Sequence, residues 1–205
     1  DMDLAAGRVG AAMTRGEKIA VFGDYDVDGI TATCLLTDFL RKQGADAVSY
    51  IPGRLEEGYG LNPIALRQLS SEGVKLIITV DCGITAIEEA LLCKELGIDL
   101  VITDHHECKD TLPEAIAVVD PHRPDGGYPH KNLSGVAVAF KLACALSGDT
   151  QAVLTEYADM VCLGTVADVI PLVGENRVFV SRGLQSLRRT TRPGLAALMK
   201  ECGCD

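Results

Sequence analysis

Ile19-Ala20-Val21-Phe22-Gly23-Asp24-Tyr25-Asp26-Val27-Asp28-Gly29-Ile30 is the stretch on which the fold turns. An apolar run of the kind that makes a buried strand stops abruptly in a turn holding three acids at alternate positions, and Gly29 then opens a helical pattern. Carboxylates a few ångströms apart repel one another, so such a turn either raises a carboxyl pKa or recruits a hard cation. A solvated acidic turn capping a helix would use the same residues, because Asp favours helix N-termini. This stretch alone leaves both readings open.

The same arrangement recurs further along. Residues 75–80 are a nearly pure β-branched strand run ending at Asp81-Cys82-Gly83, and residues 99–103 end in Asp104-His105-His106-Glu107. Residues 115–119 end in Asp120-Pro121-His122-Arg123-Pro124, and residues 47–51 make a short further strand. Helical patterns fill the gaps at residues 3–15, closed by Gly16, at 31–41, at 63–71 with Asn62 as cap and Pro63 in first position, and at 85–96. Strands alternating with helices predict an α/β fold: a right-handed, doubly wound, mostly parallel five-stranded sheet flanked by helices. Residues 134–146, 151–163, 178–187 and 195–200 add a C-terminal helical portion, with Gly164 to Leu172 closing the globular part.

Composition agrees with that class. Nearly half the residues are apolar (47%) yet there is no Trp, so the core is aliphatic, as in sheets buried on both faces. No uninterrupted apolar stretch approaches the ~20 residues of a membrane span, and no signal pattern opens the chain, which predicts a soluble, cytoplasmic protein without a membrane partner. The eight cysteines are scattered and form no CxxC pair; Cys34, Cys93, Cys144 and Cys162 are expected as buried, reduced thiols. A formal charge of −10 argues against broad nonspecific attraction to nucleic acid but leaves room for a local basic groove, and bound metal would neutralise part of it.

In a doubly wound sheet, ligands collect outside the carboxyl ends of the strands. Asp24, Asp26, Asp81, Asp104, His105 and His106 all fall on that edge. Mixed carboxylate and imidazole ligands suit Mn²⁺, Mg²⁺ or Zn²⁺, and the dominance of oxygen favours the harder ions. Two ions ~3.5–4 Å apart would clamp a phosphate and generate hydroxide at neutral pH, so the implied reaction is phosphoester hydrolysis. Asp168, between Val166-Ala167 and Val169-Ile170, is either a helix cap or a further ligand. In the glycine-rich loop Pro52-Gly53-Arg54-Leu55-Glu56-Glu57-Gly58-Tyr59-Gly60-Leu61, Arg54 is the one strong candidate for holding a phosphate.

Asp24-x-Asp26, Asp81, Asp104-His105-His106 and Asp168 resemble the four ordered motifs of the DHH phosphoesterase superfamily. The longer stretches 23–29, 54–61, 133–142 and 164–172 resemble its RecJ branch, single-strand-specific DNA exonucleases, and the resemblance covers almost the whole chain. It implies a DHH catalytic domain over residues 1–175 and a helical extension over 176–205 leading toward a connecting helix and second domain absent from this chain. It implies two Mn²⁺ ions, with Mg²⁺ as a substitute: Asp24 and Asp81 at one, Asp26, Asp81, His105 and Asp168 at the other. His106 would face the scissile phosphate, Asp104 would orient the histidine pair, and Arg54, Gly58, Tyr59, Gly60, His122 and Arg123 would contact substrate phosphates. The implied activity is 5′-to-3′ degradation of single-stranded DNA in repair and recombination, with a single-strand-binding protein and a helicase as partners of the full-length protein.

One departure concerns the first motif. Many superfamily members carry a His shortly before the first Asp, where this chain has Ala20 and Phe22, which implies a first site completed by water. Two rival readings remain: a phosphodiesterase of short oligonucleotides or cyclic dinucleotides, whose first motif typically reads Pro-Asp-x-Asp-Ala, and a non-catalytic binding module on the same fold. Tyr25 between the acids and Asp28-Gly29 after them favour the RecJ type over the first; the complete acid and histidine set weighs against the second.

Overall fold

Period-two alternation in the strands sorts the apolar side chains onto two faces. In the computed structural model, which describes residues 1–204, β1 (Lys18–Gly23), β2 (Ala47–Tyr50), β3 (Val74–Val80), β4 (Asp99–Thr103) and β5 (Ala117–Val119) form one sheet of order β2-β1-β3-β4-β5. Every pairing is parallel. Ile19, Val21, Leu76, Ile78, Val80 and Val101 point into one core and Ala20, Phe22, Ile77, Leu100 and Ile102 into the other. The first core is closed by α1 (Met2–Arg15), α2 (Val27–Lys42) and α5 (Gly135–Ser147), the second by α3 (Pro63–Ser71) and α4 (Ile87–Glu95). Helices on both faces of a parallel sheet make the doubly wound α/β architecture expected from the alternation of elements.

α6 (Thr150–Ala167) packs on α2 and α5, and α7 (Gly174–Leu187) packs on α6. Phe179 of α7 meets Phe140 of α5 edge to face, with ring centroids 5.2 Å apart. Residue 176, the expected start of the extension, therefore lies in the first turn of a helix laid against the domain. α8 (Pro193–Glu201) follows and buries none of its residues. Among the described residues no helix is long and apolar enough to cross a membrane.

Three local expectations need correction. α2 begins at Val27, with the Asp26 side chain accepting a bond from the Gly29 amide, so Asp28 and Gly29 lie inside the helix rather than ahead of it. α6 runs on through Gly164 to Ala167 and makes Asp168 its C-cap. Cys34 is exposed; Cys93, Cys144 and Cys162 are buried free thiols, as is Cys82.

The register matters most for function. Gly23 stands beside Val80, Val80 beside Thr103, and Thr103 beside Val119. The residue following each is Asp24, Asp81, Asp104 and Asp120, so four acids leave the same edge of the sheet side by side.

Candidate metal centre

In the order β2-β1-β3-β4-β5 the chain goes to one side of β1 and then returns to the other, so the sheet's topological switch lies between β1 and β3. Crevices at such switches are where α/β sheets take ligands. Asp24 and Asp26 leave β1 there and Asp81 leaves β3. One carboxylate oxygen from each of the three lies within 4.8 Å of the others.

Asp81 is held in an unusual backbone conformation for a residue with a side chain, φ +60°, while its amide continues the ladder to Thr103 O at 3.1 Å. The sheet imposes that bend. It brings Asp81 Oδ1 to 3.0 Å from His105 Nε2. The two are not aligned for a hydrogen bond, and Asp81 Oδ1 is buried without a donor, as is Asp24 Oδ1. Asp81, His105 and His106 form a second group with ligand atoms within 4.8 Å, and Asp28, His105 and Asp168 a third. Asp168 Oδ2 is 3.6 Å from His105 Nε2 and Asp28 Oδ2 is 3.9 Å from it.

Burial, reinforced by the charges of Asp26 and Asp104, drives the Asp81 carboxyl well above the usual carboxylate range. Burial also raises Asp24, Asp28 and Asp168. Asp104 is the exception. Burial alone would raise it too, but His106 Nδ1 at 2.7 Å and the amides of Ile84 and His105 at 2.9 and 2.7 Å hold it below its ordinary value. The same bond raises His106. Asp104 thus spends its charge on fixing the histidine pair, as carboxylates behind metal-binding imidazoles do.

The residues fit divalent cations. Buried oxygens of Asp24 and Asp81 lack donors, burial raises Asp24, Asp28, Asp81 and Asp168, and the donor set is oxygen-rich with imidazole nitrogen, which suits Mn²⁺ or Mg²⁺.

The loop after β2 stands over this edge. Glu57 clamps it: one carboxylate oxygen accepts the Gly53 amide at 2.7 Å and the other accepts the Tyr50 hydroxyl at 2.6 Å. Gly58 and Gly60 adopt φ of +80° and +77°, conformations costly for any other residue, and between them Tyr59 turns back so that its hydroxyl donates to Asp81 O at 3.3 Å and its ring meets His106 edge-on. Arg54 is exposed, makes no ion pair among the described residues, and lies over the ring of Tyr25, 5.1 Å from its centroid. Tyr25 separates Asp24 from Asp26, so this cation borders the acidic turn.

The structure does not bring Arg123 to that edge as a free cation. Its guanidinium donates to Val118 O at 2.6 Å and to the carboxylates of Asp1 and Asp125, and the residue lines a cavity of about 290 Å³ bounded by Met2, Tyr128 and Lys141. His122 faces Glu107, with Nδ1 3.3 Å from its carboxylate. Sequence reasoning left Asp28 and Asp120 out of the site. Asp28 is 1% exposed inside the ligand cluster, and its signal is its place as the third of the alternating acids. Asp120 is buried, with its carboxyl pushed up to about 7 by burial; it is the fourth member of the in-register row of acids.

The family model for the DHH family, N-terminal domain, matches residues 18–165. The chain is 48% identical over 204 residues to the single-stranded-DNA-specific exonuclease RecJ of Bacillus subtilis, covering 100% of this chain and 26% of that protein. Among solved structures it is similar to an exonuclease RecJ bound to manganese, with TM-score 0.89 and 38% identity over 98% of this chain and 52% of that one. It is also similar to RecJ of Thermus thermophilus in complex with Mn²⁺, with TM-score 0.83 and 35% identity over 98% of this chain and 29% of the other. The chain thus spans about a quarter of the length of its curated Bacillus relative.

Proposed function

The chain belongs to the DHH family, and on that premise we propose that it is the metal-holding catalytic part of a phosphodiesterase that removes nucleotides from the 5′ end of single-stranded DNA, in the cytoplasm, during repair and recombination. The observation that carries the proposal is the convergence of Asp24, Asp26, Asp81, His105 and His106 on one sheet edge, with buried oxygens that have no donor. The exonuclease activity and the single-strand specificity come from the similarity to RecJ proteins.

In this reading Asp24, Asp26, Asp81, His105 and Asp168 would hold two Mn²⁺ ions. Bound ions would polarise the phosphodiester and lower the pKa of coordinated water toward neutrality. The chain's own groups do the rest. Asp104 holds His106 through Nδ1 and favours its charged form, whose Nε2–H would then donate a hydrogen bond to a phosphoryl oxygen. Arg54, resting on Tyr25 without a carboxylate partner, supplies the cation that meets the strand's phosphate. Tyr59, tied to Asp81 O and set against His106, walls the approach and keeps the strand end in line with the site. A single-strand-binding protein and a helicase would feed such an enzyme.

The test is Mn²⁺-dependent release of mononucleotides from a 5′-phosphorylated single strand, run beside Asp81→Ala and a dinucleotide substrate. Stepwise loss from the 5′ end that vanishes in Asp81→Ala is the expected result. Activity confined to dinucleotides would replace the proposal with a small-substrate phosphodiesterase, and failure to bind Mn²⁺ by calorimetry would sink the site itself.

A further inference from the structure

Asp28 has the burial of a ligand but the bonding of a fastener. Its side chain is 1% exposed, and both oxygens are already engaged by the opening turn of α5: Oδ2 accepts the Gly135 amide at 2.6 Å and Oδ1 the Val136 amide at 2.9 Å. These are two of the donors a helix start leaves without intrahelical partners, and they point along the positive end of the helix dipole. A carboxylate from α2 therefore caps α5 across a separation of 107 residues.

Three segments that carry candidate ligands meet at this knot. Asp28 itself belongs to the helix that Asp26 caps, so it is tied to the turn holding Asp24 and Asp26. Gly135 sits so close to Asp81 that a methyl group on it would lie 2.5 Å from both Asp81 Cβ and Oδ1. On the third side, a methyl group on Gly164 of α6 would lie 2.6 Å from Asp28 Oδ1, and that helix ends four residues later at Asp168. The last two contacts are each between a glycine and a side chain, which leaves no slack for the three segments to drift separately.

We propose that Asp28 is a positioning residue: by pinning the first turn of α5 it fixes the spacing between the Asp24–Asp26 turn, Asp81 and Asp168, and so sets the metal affinity of the centre without itself ligating. The proposal rests on the metal-site reading given above. Groups behind a metal's direct ligands typically contribute about 10- to 100-fold in affinity, which is the loss expected when the pin is removed. Asp28→Asn is the sharpest removal. It keeps one acceptor oxygen but turns an NH₂ group toward a backbone N–H, breaking one of the two bonds with little change in volume.

The experiment titrates the metal-free chain with Mn²⁺ by calorimetry, for wild type, Asp28→Asn, Gly164→Ala and Ser134→Ala, with thermal unfolding of each before metal is added. Gly164→Ala keeps the Asp28 carboxylate but displaces it. Ser134→Ala removes the ordinary N-cap of the same helix and the Ser134–Thr165 bond, so it lowers stability without touching Asp28. Asp28→Asn is expected to bind about 10- to 100-fold more weakly, with an unchanged number of ions at saturation, and Gly164→Ala to weaken in the same direction. Ser134→Ala is expected to stay within about twofold of wild type, because Asp28 keeps both its bonds to the Gly135 and Val136 amides. Wild-type affinity in Asp28→Asn overturns the proposal, as does a fall in ion number, which would make Asp28 a ligand, or an equal loss in Ser134→Ala, which would make the effect general loosening. If Asp28→Asn fails to fold, Gly164→Ala decides in the same terms. Wild type that binds no Mn²⁺ overturns the metal reading and this proposal together, whereas a binding wild type with indifferent variants overturns this proposal alone.

Discussion

Gly135→Ala isolates the contact between α5 and Asp81. Gly135 is the first residue of α5, and the added Cβ would meet Asp81 Cβ and Oδ1 at 2.5 Å and Cγ at 2.7 Å. Ordinary contact begins near 3.4 Å, so the helix or the acid must yield by nearly 1 Å. Asp81 cannot easily yield, because its amide is bonded to Thr103 O and its φ of +60° leaves little freedom. Overpacking of this size costs about 1–3 kcal/mol, against which alanine's better helix propensity returns at most about 1 kcal/mol, and less at a first helical position. The expected outcome is a metal-free chain destabilised by about 0–3 kcal/mol, or up to about 12 °C in midpoint for a domain of this size. Mn²⁺ affinity should fall by a larger factor than that stability loss implies, because the displaced atoms include the carboxylate of Asp81, a proposed ligand. Urea unfolding of the metal-free chain and calorimetric Mn²⁺ titration measure the two separately. Unchanged Mn²⁺ affinity would refute the reasoning, for it would mean that Asp81 is not held where the contact places it.

Four other outcomes follow from the same geometry. Asp81→Asn replaces a carboxyl that must take up a proton on folding or carry a buried charge among like charges, so the metal-free chain should unfold at the same or higher urea concentration at pH 7 while Mn²⁺ ceases to stabilise it; a clear loss of metal-free stability would count against the electrostatic reading. Gly7→Ala, on the exposed side of α1 with nothing within 4 Å of the new methyl group, should stabilise by about 0.5–1 kcal/mol, and a lowered urea midpoint would contradict it. Gly183→Ala puts Cβ 2.1 Å from Cys162 Cβ and 2.3 Å from Ala158 O where α7 crosses α6, so stability should drop by about 1–3 kcal/mol with Mn²⁺ affinity retained; loss of binding would show that the α6–α7 contact reaches the site. The hydrogen bond from Arg8 Nη2, 2.6 Å away, holds the Glu17 carboxyl below its ordinary value, so its stabilisation is complete above about pH 4.5 and disappears as pH falls through the lowered folded value. Wild type should exceed Glu17→Gln in stability at pH 7, and the two curves should merge at low pH; a constant gap would refute the linkage.

Most of the sheet and its acidic edge are legible in the sequence because four of the five strands are aliphatic runs that end at an Asp, and parallel pairing then lines up residues 24, 81, 104 and 120. The two helix ends that are not legible share one physical cause. Gly29 and Gly164 read as punctuation, a start and a stop, yet both lie inside helices. Each is glycine because something presses on it: the Asp24 backbone lies 2.5 Å from where a Cβ of Gly29 would be, and Thr31, Asp28 and Val136 crowd Gly164. Close approach between distant segments has no periodicity to betray it. Asp28 is hidden for a related reason, since its partners are backbone amides 107 and 108 residues away that carry no signature of their own. Arg123 shows the converse: a cation beside His122 after a strand looks like a phosphate contact, but Val118 O, Asp1 and Asp125 take its donors.

The strand order also carries a schedule. β2 joins β1 on one side, β3 joins it on the other, and β4 and β5 then add outward in turn, so no strand ever has to be inserted between two that are already paired. A ribosome releasing this chain from its N-terminus can let the sheet grow in the order of synthesis, at about 5–20 residues per second, without undoing any earlier step. The acids emerge on the same schedule, with Asp168 last. At that rate the nascent chain carries an incomplete set of these acids for several seconds or more, and the centre can close around cations only after Asp168 has emerged.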